Sequence, residues 1–162
     1  KHISTLHKSQ QVLSSSASLP IQPAVAEFML QGHFDRHMNR MRRHYRLKRD
    51  FLLTLLERQL TTWFEWKKPR GGMHVLIELK PNFIPIAQTG MALDQLITQE
   101  LALDGVQLSP LSSHYIHDQK ETNSCRFGFL LGFSGPKEEE ITYIVKMLQN
   151  WLIANLVKKK TY

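Results

Sequence analysis

The chain has 162 residues, with 42% hydrophobic, 9% aromatic and 22% charged residues, and 21 basic against 14 acidic side chains for a net charge of +7. That mixture builds one domain with a real core and excludes a globally disordered chain. No apolar run approaches the ~20 residues a spanning helix needs, and no basic stretch followed by an apolar one opens the chain as a secretory signal, so no membrane partner is expected. The single cysteine, Cys125, cannot make an internal disulfide, and a reducing cytoplasm is the expected compartment. The first residue is Lys1 rather than methionine, which suggests a fragment or a processed product.

Elements follow in order. Lys1–Ser18 is polar and serine-rich, with Ile3, Leu6 and Leu13 as a weak helical stripe. Pro23 suits the first turn of a helix over 24–31, which Gly32 stops. From His33 to Leu60 there is neither Gly nor Pro. Phe34, Met38, Met41, Tyr45, Leu52 and Leu55 recur at spacings of three and four, broken by Lys48. The pattern predicts one helix about 40 Å long at ~1.5 Å per residue. Thr61–Trp66 and Met73–Leu79 read as strands joined by the Lys67–Gly72 turn into a hairpin. Pro81 and Pro85 bracket an irregular link. Ala92–Leu103 reads as a helix ended by Asp104-Gly105, Val106–Ser109 as a short strand, and Pro110–Asn123 as a polar loop. Ser124–Ser134 is apolar on both faces and is expected to be the central strand. A last helix is expected from Pro136, in its first turn, to about Val157. Glu138–Glu140 suit its positive end and Lys158–Lys160 its negative end. The order predicts an α+β fold, a small, mostly antiparallel sheet covered by helices and preceded by a long linking helix. Its parts are expected at 1–33, a helical segment; 34–60, the long helix; and 61–162, the sheet with its covering helices.

The basic run of Arg36, Arg40, Arg42, Arg43, Arg46, Lys48 and Arg49 supplies the whole positive excess. It suits a phosphate-contacting helix, but more readily a helix whose flanks face solvent or another domain. Because the arginines fall on both flanks of the apolar stripe, they make no single nucleic-acid face. His33 and His37 stand four apart, a metal-ligand spacing, but no third ligand follows in motif spacing. His114 and His117 lie in the polar loop. Cys125 precedes an apolar strand as a small core residue would. Arg126 opens that strand, and its planar fork suits a ligand carboxylate or an ordinary salt bridge. No P-loop, GxGxxG or GxSxG motif is present, and the residues alone assemble no catalytic set.

Four segments carry a resemblance. The stretch from Gln22 to Asp50, with its small-residue helix, Gly32, Arg36-His37, arginine run and Tyr45, resembles MocR-type regulators of the GntR superfamily. So do Gly71-Gly72-Met73-His74, the Gly105–Tyr115 loop with its Pro110-Leu111-Ser112, and Leu131-Gly132-Phe133 before a glutamate-rich helix. The match runs from Gln22 to Leu152. The resemblance implies the C-terminal part of a domain similar to fold-type I, class I/II aminotransferases: the linking helix and the small subdomain. It implies a cytoplasmic, homodimeric transcription regulator that senses pyridoxal 5′-phosphate or an amino compound. The Schiff-base lysine would lie upstream, on the large subdomain, so this fragment alone is expected to hold no cofactor and no catalytic residue. Neither Lys1 nor Lys8 matches the serine-lysine motif. DNA would be bound only by a winged-helix domain, also upstream. Related aminotransferases hold the substrate carboxylate with an arginine on the last strand. Arg126 is the candidate, although a register placing that position at Leu130 stays open. Ser109, Pro110, Ser112 and Tyr115 would line the mouth of the ligand site. A true aminotransferase and a free-standing basic nucleic-acid-binding module are the alternatives.

Overall fold

The computed structural model describes residues 19–83, 91–115 and 126–157, together with positions 3, 6 and 9. The serine-rich opening, Pro85, His117, Cys125 and Lys158–Lys160 lie outside the described residues. The chain divides into two units, Lys1–Arg43 and His44–Tyr162.

In the first unit, a 3₁₀ turn at Leu19–Ile21 leads into α1 (Gln22–Leu30). Pro23 sits at its start, where a missing N–H costs nothing. Gly32, at φ +71°, turns the chain out of the helix, and its N–H donates to the Met29 carbonyl at 3.0 Å. No residue of α1 is buried. The long helix α2 (His33–Gln59) begins here, and Arg36 reaches back to the carbonyls of Gln31 and Gly32.

In the second unit, α2 buries Leu52, Leu53 and Leu56. Then come β1 (Phe64–Trp66), β2 (His74–Leu79), α3 (Leu93–Ala102), β3 (Ser109–Pro110), a 3₁₀ turn at Leu111–His114, β4 (Gly128–Gly132), α4 (Glu138–Leu152) and a π-helical turn at Ile153–Val157. The four strands form one antiparallel sheet in the order β1-β2-β4-β3. The expected hairpin is present, and β4 is central. Period-two burial on β2 puts Val75, Ile77 and Leu79 on the face that packs against the helices. Phe64, Phe129 and Leu131 join them there, with Leu56, Ile97, Val145 and Leu148 from the helices.

Four boundaries differ from those the residues suggest. β1 starts at Phe64 rather than Thr61, because the N–H groups of Trp63 and Phe64 both fold back onto the Leu60 carbonyl and close the end of α2. The strand expected at Val106 forms at Ser109. Val106 is buried, with its N–H on the Leu101 carbonyl, and caps α3 instead. β4 runs only from Gly128 to Gly132. Finally, Pro136 precedes α4, which starts at Glu138. The Glu140 carboxylate accepts the Lys137 backbone N–H at 2.6 Å, and the Pro136 carbonyl is taken by Lys48.

Candidate functional site

The helices cover one face of the sheet. Strand pairing fixes what stands on the other. Glu65 lies opposite Glu78, Glu78 opposite Gly128, Leu76 opposite Leu130, His74 opposite Gly132, and Ser109 opposite Leu130 on the far side of β4. Directly paired residues share a face, so these eight positions form a single surface. Leu76 and Leu130 are half-buried and stay outside the core cluster. They form the apolar middle of this open face. On either side of Leu130, Gly128 and Gly132 contribute no side chain. The Gly132 position is roofed by the His74 imidazole, whose ring atoms lie 3.5 and 3.6 Å from where a Cβ would stand.

Charged groups stand at one end. Arg126 Nη1 donates to Glu78 Oε1 at 3.2 Å, and the arginine side chain is 65% exposed. Glu65 and Glu78 are like charges placed directly across the β1–β2 pair. Arg126 therefore faces a carboxylate of its own chain, 48 residues away in sequence.

The loop residues singled out from sequence divide in two. Ser109 Oγ lies 3.1 Å from His114 Nε2 at the edge of the open face, and Tyr115 is exposed. Pro110 pairs with Phe129 in the sheet. Ser112 turns inward and is 1% exposed. It donates both its N–H, at 2.9 Å, and its hydroxyl, at 2.7 Å, to the Asp94 carboxylate. Asp94, itself 2% exposed, also accepts the backbone N–H groups of Gln95 at 2.9 Å and Gly128 at 3.2 Å. One buried carboxylate thus fastens the start of α3, the 3₁₀ turn and the start of β4. Sequence reading missed Asp94 because an aspartate in the first turn of a helix ordinarily signals only a favourable dipole.

Lys48, the residue that interrupts the α2 stripe, was also missed as a structural group. Its ammonium donates to the carbonyls of Ser134 at 3.0 Å and Pro136 at 2.8 Å. It thereby holds the β4–α4 turn that borders a cavity of about 260 Å³, whose walls include Leu52, Leu108, Leu130, Gly132 and Ile144. Arg49 and Lys68 both bind Asp50, at 2.9 and 3.1 Å. These two bonds, Arg49 foremost, hold the Asp50 carboxyl below its ordinary range. His33 contacts Gln31 and His37 contacts Arg40. Among the described residues no three potential ligands converge on a metal position. No helix there is long and apolar enough to cross a membrane.

No family model matches the chain. It is 30% identical over 139 residues to the uncharacterized HTH-type transcriptional regulator YhdI of Bacillus subtilis, covering 86% of this chain and 27% of that one. It is 29% identical over 119 residues to the probable rhizopine catabolism regulatory protein MocR of Rhizobium meliloti, covering 73% of this chain and 21% of the relative. The chain is homologous to the C-terminal, aminotransferase-like part of MocR-type regulators. It spans about a quarter of the length of these relatives. Solved aminotransferases share the fold. The multiple substrate aminotransferase of Thermococcus profundus matches with a TM-score of 0.63 at 23% identity, covering 82% of this chain and 29% of that one. The alpha-aminoadipate aminotransferase LysN of Thermus thermophilus, complexed with N-(5′-phosphopyridoxyl)-L-leucine, matches with a TM-score of 0.61 at 21% identity, covering 80% and 30%. The long helix, the antiparallel sheet and the α+β class expected from the order of elements are those observed.

Proposed function

We propose that this chain is the small subdomain and linking helix of a cytoplasmic MocR-type transcription regulator, and that its open sheet face is turned toward the ligand that the regulator senses. The observation that carries the reading is that open face. A chain homologous to these regulators keeps Leu76, Leu130, His74 and the Ser109–His114 pair on a sheet surface that none of its core residues fills.

Pyridoxal 5′-phosphate is the cofactor of the full-length protein in this reading; the pyridoxyl ligand of LysN supports it. In this reading the covalent anchor lies upstream, on the large subdomain, as the resemblance implies. None of the open-face positions is a lysine, and Lys48 and Lys80 donate to backbone carbonyls. In this reading the anchor and the winged helix lie in the remaining length that the relatives possess, and a second copy of the full-length chain completes a homodimer. Of the two registers left open by the sequence, the pairing of Arg126 with Glu78 and the central place of Leu130 favour Leu130 as the position a ligand meets. A carboxylate reaching Arg126 has to displace Glu78 first. Tyr115 and Ser109 border the face, and Ser112 positions that border through Asp94.

The test is fluorescence anisotropy of the full-length protein on DNA from its own promoter region, with and without pyridoxal 5′-phosphate and primary amines. A change of at least about fivefold in DNA affinity is expected, the size of a typical coupling between two sites. No DNA binding under any condition refutes the regulator. The aminotransferase structures favour a second reading, an enzyme with turnover. Transfer of an amino group to a 2-oxoacid without DNA binding would establish it.

A further inference from the structure

We draw no further inference here: the strongest candidate, the half-open apolar cavity of about 260 Å³ that Leu52, Leu108, Leu130 and Ile144 line between β4 and α4, carries none, because nothing in the structure shows what covers it.

Discussion

Asp94→Ala is expected to be the most damaging single change that leaves the apolar core intact. The carboxylate accepts four hydrogen bonds, and three of their donors have no access to a substitute: the N–H and hydroxyl of Ser112 and the N–H of Gly128. The fourth, the Gln95 N–H, lies in the first turn of α3, where water can replace the carboxylate. Stranding a buried donor costs about 1–3 kcal/mol, so three give about 3–6 kcal/mol after partial relaxation. Against a total of about 5–15 kcal/mol, that is a large share of the stability. In urea the midpoint should fall by about 2 M, followed by tryptophan fluorescence and circular dichroism. Asp94→Asn should cost only about 1–2 kcal/mol. The Ser112 and Gly128 N–H groups both point at Oδ2, so the amide oxygen can stand there, and the Ser112 hydroxyl can rotate to accept from the amide nitrogen. A loss below about 1 kcal/mol for the alanine variant, or equal losses for the two, would refute the hub.

Three further outcomes are expected. Gly128→Ala should cost about 2–3 kcal/mol in thermal unfolding, because a Cβ at that position would overlap the Ile77 carbonyl oxygen across the β2–β4 pair. Lys48→Met should cost about 1.5–3 kcal/mol by the same measurement and Lys48→Arg less, since the charge-assisted bonds to the Ser134 and Pro136 carbonyls are lost in one and partly kept in the other. The Asp50 carboxyl is held below 3.8 by Arg49 and then Lys68, so its contribution is present above that value and fades as pH falls through the folded-state value. Because the carboxylate is 44% exposed, Asp50→Asn should change stability by no more than about 1 kcal/mol at neutral pH and flatten the acid limb of a pH–stability curve.

Features written in local periodicity were legible before the structure. The unbroken run from His33, the alternation of β2 and the glutamates ahead of Ile141 each specify an element through its own neighbours in sequence. What escaped depends on partners far along the chain. Nothing around Asp94 announces donors 18 and 34 residues away, and nothing beside Arg126 announces Glu78. Lys48 reads as a flaw in an apolar stripe until the carbonyls at 134 and 136 are placed beside it. The same distinction explains the misplaced start of α4. Proline is well suited to a first helical turn, but here the carbonyl of Pro136 is claimed from outside, and the turn begins beyond it. In the candidate site, the loop serines were visible as polar residues, while which one faces inward was decided by a carboxylate in another element.

The strand order bears on how the polypeptide is made. β2 must accept β4 along its inner edge, yet about 50 residues separate them. At ~5–20 residues per second, a ribosome leaves that edge waiting for about 3–10 s after β2 emerges. During that interval β2 has only the short β1 as a hydrogen-bonded neighbour in the sheet, and an unsatisfied strand edge invites pairing with another nascent chain. Synthesis of this region should therefore lean on chaperones, and slowing translation between residues 80 and 128 should lower the soluble yield.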